Sequence, residues 1–104
     1  MNIKEMESSA KRVSGLLKAL SHEGRLMILC QLIENEKSVG DIAQSLDMRD
    51  AAASQQLALL RKDGLVETRR EGQTVFYSVT RTDVRLLIEF LYLQFCETPK
   101  DKEH

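Results

Sequence analysis

The sequence predicts a mainly α-helical chain carrying one β-hairpin, and three observations lead there. Apolar residues recur at helical spacing over most of the chain, as in Leu26, Leu29, Cys30 and Ile33. One short region breaks that period: residues 66–70 and 74–79 are rich in β-branched and aromatic residues and flank the turn Glu71-Gly72-Gln73. The helical segment just before it, DAAASQQLALLRKDG, carries small and amide side chains through its first half, where an ordinary surface helix would show charges.

Length and composition bound the reading. A chain of 104 residues suits one domain, here 1–104, and the charged ETPKDKEH with its lone Pro99 predicts a frayed tail at about 98–104. Apolar residues make up 42% and charged residues 30%, ordinary for a soluble globular protein, and the apolar run at 26–33 is too short to span a bilayer. MNIKEMESS holds acidic residues and no apolar core, so no secretory signal is read there and a cytoplasmic location is expected. Two cysteines without a CxxC or Cys/His cluster indicate neither a zinc site nor a disulfide scaffold, and with no activating His beside them they argue against a thiol-disulfide enzyme. The net charge of -1 gives no global case for a nucleic-acid partner, but its distribution does. Over residues 49–81 the basic side chains Arg49, Arg61, Lys62, Arg69, Arg70 and Arg81 outnumber Asp50, Asp63, Glu67 and Glu71.

Each element follows from local pattern. Residues 4–20 place Val13, Leu16, Leu17 and Leu20 at helical spacing, and Ser21 is positioned to cap a second helix reaching Ile33. Ser38-Val39-Gly40-Asp41 resembles a capping box with Asp for Glu and opens a short third helix to Leu46 that buries Ile42 and Leu46. A step over residues 47–50 leads into the fourth helix. Ala53, Leu57 and Leu60 face inward there, Ala51, Gln55, Ala58 and Lys62 face outward, and Leu59 lies near the outer face with no partner assigned. Gly64 follows the helix end, where positive φ is needed. Thr80 or Thr82 can cap a last helix bearing Val84, Leu87, Ile88, Leu91 and Phe95, with Tyr92 and Cys96 on its flank. The apolar stripes of the first and last helices exceed what so small a core covers, which predicts a homodimer through Leu16, Leu17, Leu87, Leu91 and Phe95.

Two short helices, a tight turn and a hairpin with a charged tip form a winged helix-turn-helix, an arrangement that reads DNA. A major groove about 12 Å wide admits one helix, and short side chains let its backbone approach the base edges. Ser54, Gln55 and Gln56 can then hydrogen-bond bases, while alanine methyls such as that of Ala51 meet thymine methyls. Arg69 and Arg70 on the hairpin suit phosphates or the adjacent minor groove, with Arg49, Asp50, Lys62 and Gln73 completing the candidate contacts.

The stretches ALSHEGRLMIL, SVGDIAQSLDM, ASQQLALLRKDGLVETRREGQTVFYSV and LLIEFLYLQFC together resemble the ArsR/SmtB family of bacterial transcriptional repressors, over residues 16–96. The resemblance implies a winged-helix homodimer that joins through its first and last helices, binds palindromic double-stranded operator DNA and releases it on sensing a signal. Metal-sensing members use thiolates of a CxC type in the third helix, where this chain has Val39-Gly40-Asp41, and His with carboxylates in the last helix, where residues 83–95 hold no His. His22 and His104 form no cluster, so neither metal nor cofactor is expected.

Cys30 in LMILCQL and Cys96 in LYLQFCE are similar to the pair in the persulfide-sensing branch of the family, the BigR-, SqrR- and HlyU-like regulators. That likeness implies an inducer among small reactive sulfur species and a di- or polysulfide bridge that lowers DNA affinity. Two alternatives stand beside it: Cys30 as a small buried hydrophobe in a regulator that does not sense, and a non-sensing or general thiol-redox regulator of virulence genes that displaces a silencing protein. One departure concerns the recognition helix, where relatives usually open with Ser-Gln and this chain has Arg49-Asp50; the operator sequence stays open for that reason.

Overall fold

The first helix begins where a side chain can satisfy its free backbone N–H groups. In the computed structural model, which describes residues 1–96, Asn2 Oδ1 accepts from Lys4 N at 2.9 Å and Glu5 N at 3.3 Å, and α1 runs Ile3–Leu20. Ser21 does not open the next helix as expected. Its hydroxyl donates back to the Lys18 carbonyl at 2.6 Å and closes α1 instead. The cap of α2 (Glu23–Glu34) is His22, whose Nδ1 accepts from Arg25 N at 3.3 Å. The buried face of α2 is also rotated by one residue from the expected stripe: Ile28, Leu29 and Leu32 are fully buried, whereas Leu26, Cys30 and Ile33 are half-buried on its flanks.

A two-residue strand absent from the sequence reading, β1 (Lys37–Ser38), follows, and Ser38 then caps α3 (Val39–Ser45) by accepting from Asp41 N at 3.2 Å. Ile42 is buried as expected, but Leu46 lies just past the helix and is only half-buried. The turn there depends on Asp47, at φ 54°, flanked by Leu46 N donating to Ile42 O at 3.0 Å and Met48 N to Ala43 O at 2.8 Å. α4 spans Asp50–Lys62 with Arg49 at its N-cap and no side-chain cap bond, so Asp50 is the first helical residue rather than the cap. Its end is a Schellman closure: Gly64 at φ 76° donates to Arg61 O at 3.0 Å and Leu65 N to Leu60 O at 2.9 Å.

The hairpin pairs β2 (Glu67–Glu71) with β3 (Thr74–Ser78) in the register Arg69↔Phe76 and Arg70↔Val75, across Gly72 at φ 63°. β1 adds to the other edge of β3, through Lys37↔Tyr77 and Ser38↔Phe76, giving a three-stranded antiparallel sheet in the order β1-β3-β2. α5 (Thr82–Phe95) starts at Arg81 without a side-chain cap bond; Thr80 instead turns its hydroxyl to Glu67, and Thr82 is already helical. Arg85 latches α5 to the body, donating to Val79 O at 3.0 Å and to Ile33 O at 2.9 Å. The expected frayed tail and Pro99 fall outside the described residues.

These contacts make α2 the centre of the molecule, packed against α1, α4, α5 and β3. The radius of gyration is 15.4 Å, above the roughly 13 Å expected of a compact chain this long, because α1 and α5 reach beyond the core. Among the described residues no helix is long and apolar enough to cross a membrane.

The left-handed backbone at Asp47 has a measurable consequence. Asp47→Asn, which tolerates that conformation, is expected to leave the urea midpoint nearly unchanged, whereas β-branched Asp47→Val should cost about 1–3 kcal/mol with an unaltered denaturant slope.

Candidate nucleic-acid interface and thiol pair

The entering end of α4 is cleared of bulk. Arg49, Asp50, Ala51, Ser54 and Gln55 are all exposed there, on the face opposite Ala53, Leu57 and Leu60, which are fully buried. Gln56 behaves otherwise. It is half-buried and its Oε1 is enclosed with no hydrogen-bond partner, because residue 56 joins 53, 57 and 60 at helical spacing on the inward stripe. Lys62 is exposed but sits three turns along, about 16 Å from Ala51, so the helix does not bring it to the same end. Leu59 is exposed on the outer face and no neighbour in the structure explains it.

The two hairpin arginines have different roles. Arg69 donates from Nε to both Glu36 oxygens, at 3.0 and 2.9 Å, adds a bond from Nη2 to the same carboxylate, and donates from Nη1 to Glu71 at 2.8 Å. Its guanidinium also lies 4.8 Å from the centre of the Phe76 ring. These bonds to Glu36, then Glu71, raise its pKa further, and the same bond holds the Glu36 carboxyl below the ordinary carboxylate range. Arg69 therefore fixes the wing against the segment before β1, whereas the sequence reading had assigned both arginines to phosphates or the adjacent minor groove. Arg70 is exposed and makes no ion pair among the described residues, and Gln73 is exposed at the turn. Glu36 was invisible to sequence reasoning, since only the β1–β3 pairing brings it to a side chain 33 positions away.

Cys30 lines a groove between α2 and α5, and Cys96 stands at the end of α5. A cavity of about 640 Å³ there is lined by Cys30, Gln31, Ile33 and Glu34 from α2 and by Ile88, Glu89, Tyr92 and Leu93 from α5. Cys30 is a half-buried free thiol in its wall, and Cys96 is an exposed free thiol at the C-cap of α5. Burial raises the Cys30 pKa, and the negative charge of a Cys96 thiolate raises it further. Among the described residues no group of three or more His, Cys, Asp or Glu is placed to hold a metal ion.

The expected dimer residues divide into two sets. Leu16 and Leu87 are half-buried against the core, and Leu91 is half-buried. Leu17 and Phe95 are open, at 52% and 75% exposure, and join Val13 of the expected α1 stripe together with apolar residues the sequence reading had not selected: Leu86, Phe90 and Leu93 on α5, and Ile3 and Met6 on α1. On α1 the open set Ile3, Met6, Ala10, Val13 and Leu17 alternates steps of three and four, the spacing of a helix seam.

A helix-turn-helix with a paired wing, a bare-ended recognition helix and an unpaired wing arginine defines a DNA-binding transcriptional regulator. The chain belongs to the ArsR family: residues 22–68 match the bacterial regulatory protein, arsR family, and close relatives cover nearly all of it. It is 48% identical over 97 residues to the transcriptional activator HlyU of Vibrio cholerae, spanning 93% of this chain and 90% of that protein. It is 43% identical over 100 residues to the biofilm growth-associated repressor of Xylella fastidiosa, spanning 96% and 88%. The structure of reduced HlyU from V. cholerae superposes with a TM-score of 0.85 over 90% of this chain and 99% of that one, at 48% identity. The repressor BigR from X. fastidiosa gives 0.86 over 94% and 100%, at 43% identity. The homodimeric winged helix-turn-helix domain of Mb0332 from Mycobacterium bovis gives 0.78 over 94% and 89%, at 33% identity. The relatives named for a function are transcriptional regulators, and this chain is one too rather than an enzyme.

The wing tether can be tested directly. Glu36→Gln should leave the chain folded yet speed hydrogen exchange of the β2 and β3 amides, most at Arg69 and Phe76. Because the Glu36 pKa is lowered on folding, the tether's contribution is complete above the ordinary carboxylate value of about 4.3 and is lost as pH falls through the depressed one. Wild-type exchange should therefore approach that of the variant only in acid.

Proposed function

We propose that the chain works as a homodimer that sets α4 of each protomer into successive major grooves of a palindromic operator, and that a reactive sulfur species releases it by joining Cys30 to Cys96. The observation that carries this reading is the α2–α5 cavity with one thiol in its wall and the other at the end of the same α5. Ser54, Gln55 and Ala51 address base edges, while Arg49, Arg70 and Gln73 hold phosphate or the neighbouring minor groove. Lys62 lies too far along α4 for the same groove floor and is left to the backbone flank, and Asp50 discriminates by accepting from a cytosine amino group.

The exposed Cys96 thiol takes the sulfane sulfur of an organic persulfide, RSSH, and releases RSH. Cys30 then attacks the Cys96 sulfur, expelling hydrosulfide and leaving a disulfide; each further sulfane atom inserted consumes one RSSH and releases one RSH. Closing a loop of roughly 65 residues restrains the chain by about 4 kcal/mol, and about 1.4 kcal/mol of difference between DNA-competent and incompetent states is enough for tenfold weaker binding. The bridge has a path to the DNA, since α2 packs on α4 while α5 carries the open apolar face.

A second reading keeps the DNA contacts but makes the chain an activator that displaces a silencing protein, and the activator name of the HlyU relative favours it. In purified transcription the first reading gives repression unaided, and the second gives no effect until a silencing protein is added.

Persulfide treatment should add mass in sulfur units, or remove two hydrogens, in step with loss of a gel shift on a duplex selected for binding the reduced protein. Cys30→Ser and Cys96→Ser are each expected to keep the shift and abolish the release. Release that persists in both variants would refute sulfur sensing and leave the DNA-binding reading intact. For assembly, the Mb0332 homodimer and the open α5 face point the same way. Phe90→Arg should convert a sedimenting dimer to a folded monomer with strongly weakened operator binding.

A further inference from the structure

A second cavity, of about 750 Å³, shares no residue with the thiol cavity and has a different chemistry. It lies between α1, the start of α2, the end of α4 and the start of α5, and five of its lining side chains are cations: Lys11, Arg12, Lys18, Arg25 and Arg81. Asp63 is the one carboxylate in the lining. Arg81 is committed to Asp83, at 2.7 Å, but Lys11, Arg12, Lys18 and Arg25 make no ion pair among the described residues. In a chain whose net charge is -1, such a collection of unpaired positive charge is a local construction rather than an average. Arg25 adds a second observation, because its Nε is enclosed and has no hydrogen-bond partner. A buried guanidinium N–H left unsatisfied is unfavourable and calls for an acceptor.

We propose that this cavity binds a small phosphate-bearing organic molecule. The planar guanidiniums of Arg12 and Arg25 suit the paired oxygens of a phosphoryl group, Lys11 and Lys18 supply further charge, and Leu16, Ala19 and Leu65 give an apolar wall for the organic portion. The excess of cations over Asp63 favours a polyanion over a monocarboxylate. The volume falls in the range of small-molecule sites, about 300–1,000 Å³. Operator phosphate is the less fitting occupant, because Asp63 and Leu65 mark the C-terminal end of α4, about 18 Å from the end bearing Asp50 and Ala51. Occupancy would link α1 to the end of the recognition helix by a route that does not pass through the thiols.

The test uses the full chain, reduced, with adenosine 5′-diphosphate, adenosine and pyrophosphate as probes in calorimetry and in amide NMR. The diphosphate is expected to bind with Kd below about 1 mM and to shift the Gly15, Arg25 and Leu65 amides. Adenosine should not bind, and pyrophosphate should bind at least threefold more weakly than the nucleotide. Arg25→Gln should weaken nucleotide binding at least tenfold. Lys11→Gln with Arg12→Gln, both on the exposed face of α1, should do the same without threatening the fold, and Lys4→Gln should change nothing. Equal affinity for pyrophosphate and nucleotide, or equal weakening by Lys4→Gln, would overturn the proposal. So would failure of the diphosphate to bind; if the Lys11/Arg12 variant then lowers duplex affinity and its salt slope, these cations belong to the DNA backbone instead.

Discussion

Every functional part of this molecule is held in place through the buried face of α2. Ile28, Leu29 and Leu32 are at most 1% exposed, and the helix they belong to touches α1, α4, α5 and the sheet. Truncating any such side chain to alanine would cost about 2–5 kcal/mol, a large part of the stability of a domain this small. A helix so placed cannot shift alone: a displacement of α2 against α5 is transmitted to α4, and so to any DNA that α4 reads. The flanks of α2, not its centre, face the two cavities, with Cys30 on one and Arg25 on the other. The rigid centre and the chemically active flanks are separate sides of one helix.

Charge is used with similar economy. A chain of net charge -1 has no general attraction for polyanions, so each positive group that serves DNA has to be positioned. Arg69 illustrates the cost of positioning: bound by Glu36 and Glu71 and stacked on Phe76, it gives up its charge to fix the angle of the hairpin, and Arg70 next to it stays free. Neighbours on a strand point to opposite faces, which is why adjacent arginines can divide these tasks.

Much of this was legible in the residue pattern, and the exceptions have physical causes. The long elements, the Ser38 cap, Gly64 at positive φ and the presence of the hairpin all follow from local sequence, where propensity and periodicity act over a few residues, but the turn is shorter than the expected Glu71-Gly72-Gln73, because Glu71 pairs with Thr74. The α2 stripe was displaced by one because Ile28, Leu29 and Leu32 satisfy helical spacing as well as Leu26, Leu29, Cys30 and Ile33 do, and only tertiary packing chooses between them. His22 and Ser21 are both able to cap, and the choice depends on where α1 stops. Gln56 carried its own signal, since it falls on the stripe of Ala53, Leu57 and Leu60, but amide chemistry drew attention away from that geometry. β1 and the Glu36–Arg69 contact were illegible, because two residues carry no period and their partners lie in a distant hairpin. In the open seam of α1 the spacing was visible, yet which apolar residues stay exposed is decided by how far α1 extends past the core.

The asymmetry of the two thiols bears on what kind of signal such a pair could read under the proposed sulfur-sensing function. Cys30 is half-buried and its thiol is pushed above the ordinary range, first by burial and then by Cys96, so at neutral pH it is a poor nucleophile toward a reagent in bulk water. Cys96 is exposed and meets such reagents first. A modification that stops at Cys96 leaves α2 and α5 untied, and the energetic argument for DNA release requires the tie. Selectivity would then reside in the second step: the sulfane sulfur on Cys96 leaves as hydrosulfide when Cys30 attacks the Cys96 sulfur, and only a further sulfane atom taken from a second RSSH lengthens the bridge across the groove, which an oxygen adduct has no means to do. The geometry of the α2–α5 groove, more than the reactivity of either sulfur, would decide which oxidants count as inducers.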